Sequence, residues 1–541
     1  MIPPVASDRP DVTRDTDPVE AILDIYDAAV ARAGDEPAIV YLDTAISYAE
    51  LDRMSDALAS LLIECGFAPG DRLALFLQNS PHFVIGMIAA WKAGGICVPI
   101  NPMNRSREVS LIFADSTPAA LLAMDELFDD VIVNVDAALV PAIRLKISAL
   151  EFQTGDDPRI FARIAAPASD VTRFDVLLEG RDVPRPAVPR PRPDDLAMIV
   201  YTSGTTGLPK GAMISHGAFG FNAGAFCTTG RLQDGDAVLG IAPLFHITGS
   251  VACLGTALRL AAPLILTFRF EPGVVLDVIA RWQPRFMVAA ITAFIALYNH
   301  PDATREGLSK LGKLFSGGAP VPPAFVEQFE AKFGHYIHNC YGLTETSSAT
   351  HITPFGERAR VSDDGVLSIG KVGPGVSAHI VGEDGKRLPS GEVGELMIEG
   401  PMVAKGYWRN PAETSAAMRD DGFTTGDIAF YDSDGWYYLV DRKKDVIISS
   451  GYKVWPREVE DVLYGHSAIR EAAVVGVAHA YRGETVKAFV SLKPGSDVDA
   501  EQLISYCKAR MAAYKYPRQV DILPDLPKTP TGKILRRALR R

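Results

Sequence analysis

Apolar residues recur along the chain with two periods that alternate, which predicts an α/β fold built on parallel sheet. An early helix is indicated by a capping-box pattern at Ser47 and Glu50, followed by apolar residues at helical spacing. These apolar residues are Leu51, Met54, Leu58 and Leu61, and the pattern stops at Gly66. Residues 196–204, LAMIVYTSG, form an apolar run that ends in glycine, which is typical of a buried strand leading into a loop.

Two segments divide the chain. Residues 181–195 contain five prolines, and because proline fixes φ and removes a donor we expect an extended connector there. A second boundary falls near 441–456, after which a helix, two strands and a helix are predicted in a unit of roughly a hundred residues, a normal size for a small domain. We therefore predict an N-terminal domain over 1–443, subdivided near 181–195, and a C-terminal domain over 444–541.

One stretch, residues 240–268, has the length of a membrane span. It is interrupted by Pro243, His246, Arg259 and Pro263, so we predict a buried helix and strand of a large core instead. The N-terminal residues are polar and acidic, without the apolar segment of a secretory signal. We expect a cytoplasmic protein with no transmembrane segment.

Composition and charge exclude several classes of function. The 541 residues carry 54 Lys and Arg against 66 Asp and Glu, a net charge of −12. Such a chain is a poor nucleic-acid binder, because phosphate contacts need clustered positive charge. The six cysteines lack the close spacing of metal ligands and are too few for a disulfide scaffold, so reduced thiols are the simpler interpretation.

The segment most informative about chemistry is 201–216, YTSGTTGLPKGAMISH. Glycines allow backbone N–H groups to turn toward an anion, hydroxyls add donors, and Lys210 adds a positive charge. These are the groups that a triphosphate needs. The spacing differs from that of the Walker motif, which disfavours a P-loop NTPase. On composition alone a flexible surface loop is an equal alternative.

YTSGTTGLPKG resembles the phosphate-loop signature of the adenylate-forming superfamily, which includes acyl-CoA synthetases. Six further segments match the same family in the right order: APLFHITG (242–249), SGGAP (316–320), YGLTET (341–346), TGD (425–427), DRKKDVIISSGYKVWPREVE (441–460) and PKTPTGKILRR (527–537). The resemblance spans nearly the whole chain. It implies a large N-terminal multi-sheet α/β domain with a small mobile C-terminal α+β domain that acts as a lid.

The resemblance also implies roles in nucleotide binding. Thr344 is similar to the family's α-phosphate donor, and Glu345 to its Mg²⁺ ligand, which fits the preference of a hard cation for carboxylate oxygen. Tyr341 resembles the platform for the adenine ring, and Asp427 and Arg442 the partners of the ribose hydroxyls. The implied metal ligands are Glu345 and Thr206. The remaining implied ATP and AMP ligands are Thr202, Ser203, Gly204, Thr205, Thr206, Gly207, Lys210, Gly317, Gly318, Ala319, Asn339 and Gly342.

Four positions of the C-terminal segment carry further implied roles. Lys533 resembles the family's catalytic lysine, whose ammonium offsets charge on the bridging oxygens as a carboxylate joins an α-phosphate. Lys444 matches the hinge between the two domains. Gly451, with Tyr452, lies where the family's backbone approaches the pantetheine arm of coenzyme A, an approach that a bulky side chain would obstruct.

The acid-binding side is predicted to be uncharged. His246 resembles the histidine that lines the acyl pocket of acyl-CoA ligases, and we interpret it as a wall or gate. The other predicted pocket residues are Ile247, Thr248, Val251, Ala290, Ala293 and Phe294. The APLFHITG motif lacks the aspartate with which amino-acid-activating domains hold the substrate ammonium, which disfavours an amino acid as substrate. Residues 246–258 contain no Lys or Arg that could pair with a second carboxylate, which disfavours a dicarboxylic acid. Fatty, branched, alicyclic and aromatic monocarboxylic acids all remain open.

The resulting hypothesis is an ATP-dependent acid–thiol ligase that forms an acyl-adenylate and then acyl-CoA, with ATP, Mg²⁺ and coenzyme A as cofactors and a small carboxylic acid as partner. An acyl-AMP ligase that loads a carrier-protein thiol is the first alternative. A degenerate module that only binds a nucleotide or acyl-CoA is the second, although every catalytic residue of the motifs is present. A firefly-type luciferase is disfavoured by the absence of its His-His-Gly run. The oligomeric state is open, a homodimer included.

Overall fold

The computed structural model describes residues 19–162, 164, 183–202, 209–362, 366–442, 445–449, 452–479, 483–512, 514–528 and 534–540. Its strands, in chain order, are β1 (Pro37–Tyr41), β2 (Thr44–Ser47), β3 (Arg72–Phe76), β4 (Ile96–Pro99), β5 (Ala120–Met124), β6 (Ile143–Ile147), β7 (Leu196–Thr202), β8 (Lys210–Ser215), β9 (Val238–Leu239), β10 (Leu264–Leu266), β11 (Phe286–Ala289), β12 (Lys313–Ser316), β13 (Ile337–Leu343), β14 (Ser348–Ile352), β15 (Lys371–Val372), β16 (Ser377–Val381), β17 (Gly394–Glu399), β18 (Met418–Arg419), β19 (Gly422–Tyr431), β20 (Tyr437–Arg442), β21 (Ile447–Ser449), β22 (Tyr452–Val454), β23 (Ile469–His479), β24 (Gly483–Leu492) and β25 (Gln519–Ile522).

The α-helices of the described residues are α1 (Ile22–Ala33), α2 (Tyr48–Glu64), α3 (Pro81–Lys92), α4 (Ser106–Ser116), α5 (Asp125–Asp130), α6 (Pro158–Phe161), α7 (His216–Thr229), α8 (Thr256–Arg259), α9 (Pro272–Trp282), α10 (Ile291–Asn299), α11 (Pro323–Phe333), α12 (Pro411–Ala417), α13 (Pro456–Tyr464), α14 (Ala500–Lys508) and α15 (Arg536–Leu539). Short 3₁₀ turns span Ile132–Asn134 and Thr344–Thr346, and a π-helix spans Thr248–Gly255.

Two large sheets share one core. A nine-stranded sheet has the order β15-β14-β13-β12-β11-β9-β10-β1-β2, and its central strands, from β13 to β1, run parallel. A six-stranded sheet has the order β6-β5-β3-β4-β7-β8 and is parallel except for the β7–β8 hairpin. A single cluster of buried apolar residues includes members of both sheets and of α1, α2, α3, α7 and the π-helix between them.

Two smaller sheets complete the chain. Strands β16 to β20 form an antiparallel sheet that follows the large ones. Strands β21 to β25 form a sheet of their own with α13 and α14, and these elements bury a separate apolar cluster. The fold class predicted from the sequence, a large N-terminal multi-sheet α/β domain followed by a small C-terminal domain, is confirmed.

The locally encoded elements follow their sequence patterns closely. The capping box of α2 is formed: Glu50 N donates to Ser47 Oγ at 3.2 Å, and Ser47 N donates to Glu50 Oε2 at 2.8 Å. The helix ends at Glu64, just before Gly66. The described part of the proline-rich connector, 183–195, contains neither helix nor strand until β7 begins. The second helix predicted after the boundary near 441–456 is α14, which ends at Lys508.

The apolar stretch 240–268 is buried in the core, as predicted, but its helix is divided. A π-helix covers Thr248–Gly255, α8 covers only Thr256–Arg259, and β10 follows in the nine-stranded sheet. Within the described residues, no helix combines the length and the apolar character that a membrane crossing requires.

A buried ion cluster joins α2 to α3. The Lys92 side chain is fully buried, and its Nζ lies 2.6 Å from Asp52 Oδ1, 2.6 Å from Asp56 Oδ1 and 2.8 Å from Ser55 Oγ. Burial raises the pKa of Asp56, so this carboxylate depends on the ammonium beside it. Removing one partner of a buried pair leaves an uncompensated charge in the core.

We expect Lys92→Met to lower the free energy of unfolding by about 3 kcal/mol, the size typical of breaking a buried pair. Urea unfolding followed by tryptophan fluorescence measures this difference. Lys386→Met is the matched control, because Lys386 forms an exposed pair with Asp384 and its loss should change stability little. Equal effects of the two substitutions would contradict a stabilising role for the Lys92 cluster.

Candidate active site

The site lies where neighbouring parallel strands end. Strands β9, β11, β12 and β13 are paired in parallel, so the residues after them meet at one edge of the nine-stranded sheet. These residues are the segment 240–246, Ala290, the segment 317–319 and the turn Thr344–Thr346. Ligands of open α/β sheets bind in the crevice outside the carboxyl ends of the strands. The fold thus brings three of the sequence motifs to one place, together with Ala290 of the predicted acyl pocket.

A tight hairpin after β13 presents Thr344 and Glu345. Ser347 and Ser348 both have positive φ, 50° and 98°, in a region of backbone conformation that residues other than glycine rarely adopt. A Cβ on Gly342 would lie 1.8 Å from the Ser348 carbonyl oxygen, so only glycine fits beside this turn. The strain of the turn indicates that the surrounding structure holds the two motif residues in a defined position.

Asn222 of α7 fixes the hairpin from behind. The Asn222 side chain is buried, and its Nδ2 donates to the backbone oxygens of Thr346 at 3.0 Å and Ala349 at 2.9 Å. Helix α7 begins directly after β8, with Ser215 as its N-cap. Helix α7 therefore links the hairpin to β8, the strand that follows the predicted phosphate-loop segment.

The predicted adenine platform and the predicted ribose partner are in contact. The Tyr341 hydroxyl donates to Asp427 Oδ2 at 2.6 Å, and both side chains are buried. In the β19–β20 ladder Asp427 is the register partner of Arg442, of which the structure describes the backbone only. The two sheets thereby place Tyr341, Asp427 and the Arg442 backbone in one neighbourhood.

The SGGAP segment runs close beside β13. A Cβ on Gly317 would lie 2.7 Å from the oxygen and the Sγ of Cys340, and Gly318 has φ 76°. Both features require glycine and bring the backbone before Ala319 alongside the Tyr341 strand. Asn339 is turned toward the sheet, where its Nδ2 donates to Ser368 O at 2.8 Å. The structure therefore gives Asn339 a structural contact, and its predicted nucleotide contact stays a prediction.

The residues that flank the predicted phosphate-loop segment are paired with each other. Ser203, Gly204, Thr205, Thr206 and Gly207 lie outside the described residues. The strands on either side of them form an antiparallel ladder in which Thr202 pairs with Lys210. Thr202 and Lys210 therefore lie next to each other in the six-stranded sheet.

Two charged motif residues are linked through a tyrosine that the sequence analysis did not identify. The Tyr407 hydroxyl donates to Glu345 Oε1 at 2.8 Å. The Lys210 ammonium lies 5.4 Å from the centre of the Tyr407 ring and 2.5 Å from Glu413 Oε2. Burial and the Glu345 carboxylate raise the pKa of Tyr407 well above its usual value, so the hydroxyl stays protonated and acts as the donor. A carboxylate, a hydroxyl and an ammonium are thus arranged around one ring.

The segment around Tyr407 runs along β8 like an additional strand. Met213 N donates to Gly406 O, Lys405 N donates to Met213 O, and Trp408 N donates to Gly211 O, at 2.7 to 2.9 Å. Tyr407 and Glu413 escaped prediction because they lie 62 and 203 residues from their partners Glu345 and Lys210. The GYW sequence at 406–408 was the available signal, and a tyrosine after glycine is too common to be diagnostic alone.

The predicted acyl residues divide into two groups. His246, Thr248, Ala290 and Ala293 are partly exposed near the strand ends, and the π-helix that follows His246 packs against β11. His246 Nδ1 accepts from Thr248 N at 3.3 Å. The second group, Ile247, Val251 and Phe294, is packed into the apolar clusters, and Phe294 meets Phe329 edge-on at 5.7 Å. Short π-helical segments occur frequently at functional sites.

The structure describes no side chain of the site residues predicted in the C-terminal domain. Lys444, Gly451 and Lys533 lie outside the described residues, and Tyr452 is described by its backbone in β22 only. Their roles stay predictions.

Two family models match the chain. The model of the AMP-binding enzymes matches residues 26–408, and that of the AMP-binding enzyme C-terminal domain matches residues 458–533. The long-chain-fatty-acid–CoA ligase of Bacillus subtilis is 34% identical over 537 residues, which cover 96% of this chain and 94% of the relative. The feruloyl-CoA synthase of an Amycolatopsis species is 34% identical over 499 residues, with 92% and 94% covered.

The fold is likewise that of solved relatives. The crystal structure of ATP-bound MatB from Rhodopseudomonas palustris has a TM-score of 0.83 at 28% identity, and the match covers 96% of this chain and 98% of that one. The resemblance predicted from seven ordered motifs is confirmed by these matches. The chain belongs to the AMP-binding enzymes of the adenylate-forming superfamily, of the acyl-CoA synthetase type.

Proposed function

We propose that this chain is an ATP-dependent acid–CoA ligase. In the first step a carboxylate oxygen of the acid attacks the α-phosphorus of ATP, and pyrophosphate leaves. In the second step the thiolate of coenzyme A attacks the acyl carbon, and AMP leaves. The observation that carries the proposal is a set of contacts at the end of β13, where Tyr341 bonds to Asp427 and Glu345 bonds to Tyr407, whose ring lies beside Lys210. The names of the relatives, a long-chain-fatty-acid–CoA ligase and a feruloyl-CoA synthase, agree with it.

The described residues fit a magnesium–triphosphate. Glu345 supplies carboxylate oxygen, the ligand type that Mg²⁺ prefers, and Lys210 supplies a cation within the same cluster. When bound, Mg²⁺ would offset phosphate charge as the bond to the α-phosphorus changes. Thr344, in the same turn as Glu345, would donate to the α-phosphate, and Thr206 would join Glu345 at the metal. Tyr341 would support the adenine ring, while Asp427 and Arg442 would hold the ribose.

The acid is proposed to be an uncharged monocarboxylic acid. The segment from His246 to the end of the π-helix contains no Lys or Arg, and its neighbours on β11 and α10 are apolar. A second carboxylate or an ammonium would have to be buried there without a partner, at a cost of several kcal/mol. Long-chain, branched, alicyclic and aromatic acids are all compatible with this lining.

The two half-reactions are proposed to use two arrangements of the C-terminal domain, 444–541, on the N-terminal domain, 1–443. Lys533 must reach the α-phosphate in the first step, while Gly451 and Tyr452 must line the entry of the thiol in the second. One small domain cannot present both segments at once, so it must turn about Lys444 between the steps.

The setting of the reaction is proposed to be the cytoplasm, with reduced thiols. Burial raises the pKa of Cys253 and Cys340 to about 12, which keeps both thiols protonated and unreactive. Light scattering distinguishes a homodimer from a monomer.

An acid panel tests the proposed reaction. With ATP, Mg²⁺ and coenzyme A, we expect AMP, pyrophosphate and a thioester in equal amounts from octanoate, palmitate, benzoate or ferulate. Malonate, succinate and amino acids should react at least about tenfold more slowly, because their second charge would be buried unpaired. Preferred use of a charged acid would contradict the proposed pocket. If a thioester forms only on a carrier protein, the acceptor is the thiol of that protein and not coenzyme A.

Two substitutions in the C-terminal domain should affect opposite half-reactions. Lys533→Ala should lower acyl-adenylate formation by on the order of 100-fold, as expected for loss of a preorganised charge. Thioester formation from synthetic acyl-adenylate should be nearly unchanged. Lys444→Pro should restrict the hinge, because proline fixes φ, and should slow thioester formation at least about tenfold while a single turnover of pyrophosphate release is retained.

Each variant serves as the control for the other. Stopped-flow assays of the separate half-reactions give the comparison. The domain-turning mechanism is contradicted if Lys444→Pro forms thioester at the wild-type rate. The assignment of Lys533 is contradicted if both of its half-reactions fall by the same factor.

A further inference from the structure

Tyr407 connects the two groups of the site that carry opposite charge. Its hydroxyl donates to Glu345 Oε1 at 2.8 Å on one side, and its ring lies 5.4 Å from the Lys210 ammonium on the other. Only 8% of the Tyr407 surface is exposed, so both contacts are made in a largely dry environment. Such contacts are stronger than the same contacts in water.

The Tyr407 backbone is fixed independently of these two contacts. Tyr407 forms an antiparallel bridge with Ala212 of β8, and its N–H donates to Thr414 Oγ1 at 2.9 Å. Ala404 N, in the same segment, donates to the Glu345 backbone oxygen at 2.8 Å. The ring is therefore held between β8 and the Glu345 turn by the main chain, and its hydroxyl is directed at the carboxylate before any ligand binds.

This geometry matters because Glu345 is an anion with rotatable side-chain bonds. A carboxylate that ligates a metal is commonly oriented by a hydrogen bond from a neighbouring group, and loss of that group weakens metal binding. The Tyr407 hydroxyl is such a neighbouring group, since it donates a hydrogen bond to Glu345 Oε1. The Lys210 ammonium, paired with Glu413 at 2.5 Å, is kept beside the same ring, where the triphosphate of the proposed reaction would lie.

We propose that Tyr407 is a positioning residue of adenylation, which orients the Glu345 carboxylate for the divalent cation of ATP and keeps the Lys210 ammonium beside it. The proposal rests on the proposed function and adds a residue that acts through Glu345 without touching the reacting atoms. Tyr407→Phe retains the ring and its packing and removes only the hydroxyl.

The test is direct binding of Mn²⁺, a paramagnetic substitute for Mg²⁺, to the full-length protein with α,β-methylene-ATP. Electron paramagnetic resonance of free Mn²⁺ gives the affinity. Tyr407→Phe should raise the Kd for Mn²⁺ by about tenfold, the lower range for loss of a group that orients a ligand. Tyr26→Phe is the matched control, because the buried Tyr26 hydroxyl donates to Asp52 at 3.1 Å in another part of the fold, and it should leave the Kd unchanged.

A second background separates positioning from general structural damage. In Glu345→Gln protein, Tyr407→Phe should have no further effect on the Mn²⁺ affinity, because the two residues act through one carboxylate. Thioester formation from synthetic acyl-adenylate should be the same in Tyr407→Phe and wild type. The proposal is overturned if the Kd rises less than about threefold, if the two effects add, or if thioester formation falls as much as adenylation.

Failure of this proposal and failure of the proposed function are distinguishable. Mn²⁺ and the ATP analogue bind without acid or coenzyme A, so the affinity difference is measured even if no acid of the panel reacts. Conversely, an active ligase whose Mn²⁺ affinity is insensitive to Tyr407→Phe would retain its function and lose only this role for Tyr407.

Discussion

The parallel register of β9, β11, β12 and β13 is the constraint from which the site follows. Because these four neighbouring strands end at one edge, segments far apart in sequence, among them 317–319 and the Thr344–Thr346 turn, lie side by side there. The close approach of strands at Gly317 and Gly342 then fixes how the motif backbones lie relative to each other. The positive φ of Ser348 is unfavourable for a residue other than glycine. The conformation of the hairpin that carries Glu345 is therefore determined by this packing and not by the local preference of the backbone.

The charges of the site suit a phosphate that brings a divalent cation with it, because its described residues include three carboxylates, those of Glu345, Asp427 and Glu413, and the single ammonium of Lys210. Glu345 and Lys210 are held on two sides of Tyr407, and Asp427 is held by Tyr341. Each of these two carboxylates thus accepts a hydrogen bond from a tyrosine hydroxyl, a donor that adds no net charge to an acidic chain.

Sequence reasoning succeeded where the determining contacts are local. The capping box at Ser47 and the alternation of helices and strands are encoded within a few residues. The motifs identified which segments of the chain contribute residues to the site. It failed at Tyr407, because a partner 62 residues away leaves no pattern in one sequence. It also missed the π-helix after His246, since an i+5 hydrogen-bond pattern depends on packing against β11 and α7 and has no characteristic spacing of side chains.

In the proposed reaction a carboxylate oxygen of the acid itself attacks the α-phosphorus of ATP, so this oxygen is carried into AMP. Transfer of ¹⁸O from the acid to AMP reports this attack. An acid that the protein turns over is labelled in both carboxylate oxygens and incubated with ATP, Mg²⁺ and coenzyme A, and the products are analysed by mass spectrometry. We expect one ¹⁸O in the phosphate of each AMP and none in pyrophosphate. AMP without label, or label recovered in pyrophosphate or inorganic phosphate, would contradict it.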